Sequence, residues 1–321
     1  MIPSPASKPA VALVIPVFNE EAVLPVLFAR LDALFAAHPG IAWRALLVDD
    51  GSRDSSAALI RAHAAAHTGW ELVELTRNFG FQAALAAGLA RADALGVDAV
   101  ATLDADLQDP PEVIPDLVAA WRGGAEVVRA VRRSRAESGV RRAGFDLFHR
   151  VFGSLVDYPI EPNTGTFGLL GRHALAAFVA LPERNRFFPG LRSWIGFPTA
   201  DVLYDRQARA AGEPQQSLSR LIRYALDGVF SFSYLPLRLL TYAGFFISGL
   251  GFAAGLFFLL WRLLGFENSQ QGFTTLVILV LFLGGVQLIG IGVLGEYLGR
   301  IYDEVKRRPV FLVKPPRPPA G

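Results

Sequence analysis

At 321 residues the chain has room for one large domain with additions, or for two small domains. Its 52% hydrophobic content and positive mean hydropathy are high for a wholly water-soluble protein, and a net charge of +2 gives no basis for nucleic acid as the main partner. With no cysteine, disulfides, thiolate nucleophiles and Cys-ligated zinc are excluded.

Residues 1–10, rich in Pro and Ala, read as a disordered tail. The apolar run Val11–Phe18 is too short for a signal-peptide core, so the N-terminal domain is expected to stay cytoplasmic. From residue 11 to about 130, short β runs alternate with amphipathic helices. Strands are predicted at Val11–Val17, Ala45–Val48, Glu71–Leu75, Ala99–Leu103 and Glu126–Val131. Between them Val23, Leu24, Leu27, Leu31, Leu34 and Phe35 recur at helical spacing, as do Val113, Ile114, Leu117, Val118 and Trp121. This alternation predicts a doubly wound, mostly parallel α/β sheet, which binds ligands at the carboxyl ends of its strands near a topological switch point.

Residues 132–237 are less regular. Val140–Val156 and Ser217–Phe230 have amphipathic patterns, which suit either the lipid interface or ordinary packing on the domain. Tyr242–Leu264 and Phe273–Gly295 are overwhelmingly apolar, each long enough to cross the ~30 Å hydrocarbon core of a bilayer. Arg262 sits where it can snorkel. The connecting loop Gly265–Gly272 has Glu267 and no Lys or Arg, whereas Arg238 flanks one span and Arg300, Lys306, Arg307 and Arg308 flank the other. The positive-inside rule then puts both flanks in the cytoplasm. The expected organisation is a catalytic domain over 11–216, an interfacial helix over 217–237, a two-helix transmembrane hairpin within 238–300 and a cytoplasmic tail over 301–321. Gly251-x-x-x-Gly255 and Gly295-x-x-x-Gly299 permit close helix contact and hence a homo-oligomer.

The polar motifs fall at strand ends. Asp104-Ala105-Asp106 follows the Ala99–Leu103 run, and two carboxylates so spaced can share Mg²⁺ or Mn²⁺ and bind a diphosphate through it. In Leu107-Gln108-Asp109-Pro110-Pro111-Glu112, Asp109 reads as a helix cap with Glu112 as its capping-box acid, and Gln108 is placed in the site. Ile15-Pro16-Val17-Phe18-Asn19-Glu20 ends the first strand. Asn19 is read chiefly as a cap for the next helix, with Glu20 available to a ribose hydroxyl pair. Asp49-Asp50-Gly51-Ser52 ends the second strand, an acid pair suited to reading a nucleobase edge and to shaping the turn into the next helix.

Together these motifs become specific. Val14–Glu20, Val48–Ser52, Arg77-Asn78-Phe79-Gly80 and Asp104–Gln108 occur in the order and spacing of the family 2 glycosyltransferases. Within them the chain resembles the polyprenyl-phosphate glycosyltransferases, relatives of dolichol-phosphate mannose synthase that often carry two C-terminal membrane helices. The resemblance covers nearly everything beyond residue 10, including Leu181–Arg186, Trp194–Phe197 and Ser231–Arg238. It implies a GT-A fold and an inverting transfer from a nucleotide-sugar, by default UDP-glucose, to polyprenyl phosphate. It also implies a nucleotide site of Pro16, Glu20, Asp49, Asp50, Arg77 and Gln108, and a metal site of Asp104 and Asp106. Arg206 and Arg209 match a family pair suited to gripping phosphate, against the alternative of solvated surface residues. Arg132, Arg133 and Arg135 suit either substrate phosphates or anionic headgroups.

One segment departs from that family. Asn163-Thr164-Gly165-Thr166-Phe167-Gly168-Leu169 stands where relatives commonly have Asp-x-Gly-Asp-Phe-Arg-Leu, so no catalytic base is assigned there. A phosphate acceptor, with a second pKa of ~6, is largely anionic at neutral pH and needs none. Gly212-Glu213-Pro214-Gln215-Gln216-Ser217 departs as well, at the place of expected acceptor contacts. The rivals are a processive polysaccharide synthase, disfavoured by Leu191-Arg192-Ser193-Trp194 in place of Gln-x-x-Arg-Trp, and a non-catalytic membrane scaffold or flippase partner.

Overall fold

A computed structural model describes residues 8–133, 164–184, 186–206, 235–264 and 272–315. They divide into two compact units: an α/β unit, which includes residues 308–315, and a unit of two long helices.

The α/β unit is built on β1 (Ala10–Val17), β2 (Ala42–Asp49), β3 (Trp70–Glu74), β4 (Ala99–Thr102), β5 (Val127–Arg132), β6 (Thr164–Gly171) and β7 (Thr199–Tyr204). They form one sheet in the order β3-β2-β1-β4-β6-β5-β7. Only β6 runs antiparallel to its neighbours β4 and β5; the other pairings are parallel. β1 carries an almost unbroken apolar run because it is covered on both faces, and Val11 to Ile15 are wholly buried. The helices are α1 (Leu24–Ala37), α2 (Ser56–Ala66), α3 (Phe81–Ala94), α4 (Ile114–Arg122), α5 (Arg172–Ala180) and α6 (Phe188–Trp194). Leu24, Leu27, Leu31 and Leu34 of α1 enter the core, as their spacing predicts.

The five predicted strands exist, with ends shifted by up to three residues. β6 and β7 escape the sequence reading for a physical reason. Five of the eight residues of β6 are glycine or threonine, and its buried end reads as no period-two pattern. β7 is a short edge strand with only one buried residue, Tyr204.

The second unit consists of α7 (Leu235–Leu263) and α8 (Phe273–Val305). Each contains a stretch long and apolar enough to cross a membrane, Leu237–Phe257 and Phe282–Val305, and neither stretch is buried. Both helices overrun the expected spans. α7 already includes Leu235–Leu237, inside the segment expected to be interfacial. α8 continues past Gly295 because Glu296 and Arg300 form an i,i+4 pair at 2.9 Å, and it stops before Arg307, whose φ is +49°. Val140–Val156, Ser217–Phe230 and all of loop Gly265–Gly272 but its last residue lie outside the described residues, as do Arg135 and Arg209.

The expected cytoplasmic tail is also redrawn. Residues 301–305 complete α8, whereas Leu312–Lys314 pair with Glu74–Thr76 at the carboxyl end of β3, with an antiparallel bridge between Leu75 and Val313. An outer strand has unpaired amides and carbonyls on its free side, and the tail satisfies two such groups at the carboxyl end of β3, the Glu74 carbonyl and the Thr76 amide just beyond it.

Candidate active site

The chain runs outward from β1 to β2 and β3, then returns to place β4 on β1's other side. The strand order therefore reverses between β1 and β4, and a crevice opens at their carboxyl ends. A cleft of about 300 Å³ lies there, with Pro16, Glu20, Asp50, Asn78, Asp104 and Asp106 in its lining.

Asp104 and Asp106 are held by a tight turn. Leu103 N–H still bonds to Val14 O at 3.0 Å. Leu107 then takes φ +58°, a strained value for a bulky side chain, with its side chain only 2% exposed. The Gln108 amide donates to Asp106 Oδ1 at 3.1 Å, and Thr166 Oγ1 donates to Asp104 Oδ1 at 3.3 Å. Burial, with the negative charges of Asp109 and Asp106, pushes the Asp104 carboxyl up to about 7. Such mutual repulsion among oxygen donors is what a divalent cation relieves, so the residues present fit Mg²⁺ or Mn²⁺. Asp104 and Asp106 are the carboxylates that would hold it.

The upstream loops lock one another. Asp50 accepts the amides of Phe79 at 2.7 Å and Gly80 at 2.9 Å, so it fixes the Arg77–Gly80 loop as well as lining the cleft. Burial raises its pKa first, which these two bonds oppose. Asp49 accepts the Ser52 amide at 3.3 Å and is absent from the cleft lining; its role is to shape the turn. Gly51, at φ +70°, lets the backbone of that turn approach Arg77 and Asn78. Arg77 stacks over Phe79 at 4.0 Å and donates to the Asn78 carbonyl at 3.0 Å. Neither Arg77 nor Gln108 reaches the cleft lining.

Two cap assignments are corrected. Asn19 makes no cap for α1, which begins at Leu24 without a side-chain cap. Asn19 instead adopts φ +55° and accepts the Arg53 amide at 2.8 Å, joining the β1 and β2 loops. Asp109 caps nothing either: the helical turn after it opens at Pro110 with no side-chain cap. Its carboxylate is 1% exposed and accepts the Tyr204 hydroxyl at 2.6 Å. Arg132 donates to that hydroxyl at 3.0 Å, and Arg206 Nε lies 3.6 Å from Asp109. Glu112 pairs with Arg30 rather than completing a capping box. Local spacing hides Asp109 because its partners come from β5, from β7 and from Arg206, two residues beyond β7.

Other residues emerge only in three dimensions. Phe18 and Phe81 line the cleft and stay 43% and 41% exposed, an unusual setting for large aromatics. Behind β6, buried Arg192 donates to the carbonyls of Gly165 at 3.2 Å and Phe167 at 3.5 Å. Its pKa is lowered to about 10 by burial and by Arg129. Gly168 makes the room: a Cβ there would sit 2.5 Å from Val128 O and 2.9 Å from Arg192 Nη1. Gly168→Ala should therefore destabilise the α/β unit by about 1–3 kcal/mol as an overpacked site, and a lowered thermal midpoint checks this. An unchanged midpoint would remove the packing role given to Gly168.

A second cluster, Asp32, His63 and His67, sits on α1 and on the last turns of α2, beside the first residue of β3 and away from the strands' carboxyl ends. The two imidazoles stack at 4.0 Å and 18°. One ion cannot lie in two parallel ring planes, and Asp32 Oδ2 stands 3.3 Å from His63 Nε2 without an aligned hydrogen bond. Burial lowers the His63 pKa, against the pull of Asp32, and the ring packs among Phe28, His67 and Trp70. The cluster is aromatic packing.

Residues 12–177 match the Glycosyl transferase family 2 model. An uncharacterized glycosyltransferase of Synechocystis sp. is 43% identical, over 94% of this chain and 94% of its own. The SfII prophage-derived bactoprenol glucosyl transferase of Shigella flexneri is 41% identical over 95% and 97%. Among solved structures, the mannosyltransferase from Pyrobaculum calidifontis in complex with GDP-mannose and Mn²⁺ aligns at 16% identity and a TM-score of 0.45, over 94% of this chain and 88% of that one.

Proposed function

The chain belongs to glycosyl transferase family 2 and is a glycosyltransferase of GT-A fold, and we propose that it moves glucose from UDP-glucose to a polyprenyl phosphate at the cytoplasmic face of the plasma membrane. The observation that carries this reading is the meeting of Asp50, Glu20, Asp104 and Asp106 in one cleft at the switch point. The acceptor is suggested by the bactoprenol glucosyl transferases to which the chain is similar over nearly its whole length.

Glu20 and Asp50 face the nucleoside, with Phe18 and Phe81 offering aromatic surface beside them. Asp104 and Asp106 would hold the divalent cation, which would supply positive charge to the departing diphosphate. Arg132 and Arg206, pre-positioned on Asp109, attract phosphate oxygens. A lipid phosphate oxygen attacks the anomeric carbon from the side opposite the diphosphate. The new C–O bond forms as the bond to the diphosphate breaks, inverting the centre. No base is needed, in keeping with Thr166 where the family commonly has an acid. The helices α7 and α8 suit a membrane hairpin that brings the enzyme to its lipid.

A panel of UDP- and GDP-sugars incubated with undecaprenyl phosphate and Mg²⁺ or Mn²⁺ tests this. The expected product is a single glucosyl lipid from UDP-glucose, lost on adding EDTA. A polymer would favour a processive synthase, and no turnover of any donor would favour a non-catalytic partner.

A further inference from the structure

The donor site has a component far from it in sequence. Residues 308–315 belong to the α/β unit, and Leu312–Lys314 pair with the free edge at the carboxyl end of β3. Thr76 N–H donates to Leu312 O at 2.9 Å, Lys314 N–H donates to Glu74 O at 2.7 Å, and Leu75 bridges Val313. The Lys314 ammonium pairs with the Glu74 carboxylate, which Arg61 Nη2 also reaches at 2.6 Å. Glu74 is mostly buried, and its two cations hold its pKa below the ordinary value despite that burial.

The contact is made where β3 passes into the cleft. Thr76 immediately precedes Arg77-Asn78-Phe79-Gly80. The amides of Phe79 and Gly80 grip Asp50, Asn78 and Gly80 line the cleft, and the backbone of Arg77 and Asn78 packs on Gly51. A segment that pairs with Leu75 and Thr76 therefore sets where this loop starts. Pairing of an extended segment with a strand edge supplies main-chain bonds, while one side-chain contact fixes its register.

We propose that Leu312–Lys314 are a built-in part of the donor site, with Lys314 a positioning residue that, anchored on Glu74, holds the Thr76–Gly80 loop in its nucleoside-receiving form. The proposal rests on the reading of this cleft as a nucleotide-sugar site.

The test compares the full chain with Lys314→Glu, with Lys314→Arg and with a chain ending at Arg308. Hydrogen exchange reports on the loop without any assumption about the donor. In Lys314→Glu and in the shortened chain the Phe79 and Gly80 amides lose protection while β1 and β4 keep theirs; Lys314→Arg keeps both. In glucosyl transfer, donor KM rises about tenfold, a loss in the range of a charge-assisted contact, with kcat within about twofold. A synthetic peptide of residues 308–316 added to the shortened chain lowers KM again. Unchanged protection and unchanged KM in the shortened chain would overturn the proposal, as would loss of protection spread equally over β1 and β4. If the loop responds as expected but no nucleotide-sugar is turned over by the full chain, the donor reading fails and the tail's hold on the loop stands.

Discussion

Asp104→Asn and Asp106→Asn should each lower sugar transfer by at least about a hundredfold, in line with removing a preorganised group that stabilises developing charge. The accompanying change in stability should have the opposite sign. Asp104 is desolvated and faces the negative charges of Asp109 and Asp106. Neutralising it without altering its shape relieves that repulsion, and an amide oxygen still accepts from Thr166 Oγ1. The metal-free Asp104→Asn protein should therefore melt at or above the temperature of the parent, and addition of Mn²⁺ should no longer raise its midpoint. Stability exchanged for function in this direction marks a site built for a ligand. Radiolabelled transfer to lipid and thermal melts with and without Mn²⁺ measure both effects. Full metal-dependent transfer by either variant would falsify the metal assignment.

Gly51→Ala is the second large effect, because two costs combine at one atom. Its φ of +70° is strained for alanine, and the new Cβ would lie 2.6 Å from both Arg77 C and Asn78 N. Left-handed strain of about 1–2 kcal/mol and overpacking of about 1–3 kcal/mol lower the midpoint of the α/β unit by about 10 °C. The backbone that must yield is the one whose next amides grip Asp50, so donor KM rises as well. Gly96→Ala is the matched control. Its φ is +69°, and nothing lies within 4 Å of its Cβ position, so it carries the conformational cost alone. Equal effects of the two substitutions on donor KM would show that the Gly51 contact does not govern the loop.

Much of the site was legible in the sequence because it is local. Pro16 and Glu20, Asp50, and Asp104 with Asp106 each follow an apolar run, and a parallel sheet brings the ends of such runs to one edge. The misreadings were also local. Asp109 before two prolines has the form of a helix start, and Asn19 before a helix has the form of a cap. Buried Asp109 is instead satisfied by the Tyr204 hydroxyl from another strand, and Asn19, which stays exposed, accepts the Arg53 backbone amide of the neighbouring loop. Asp49 and Asp50 look interchangeable in the chain, yet one shapes a turn and the other faces the cleft, since adjacent residues leaving a strand point in different directions.

By itself the sequence determined the alternating α/β domain, the polar motifs at the strand ends and two apolar helices, because periodicity and short motifs are properties of contiguous residues. Tertiary structure alone decided that antiparallel β6 brings Thr166 to Asp104, that Asp109 gathers Arg132, Tyr204 and Arg206, and that Lys314 meets Glu74 across 240 residues. Each of these depends on the register of strands distant in sequence, and register is fixed by the packing of the whole sheet rather than by any local pattern.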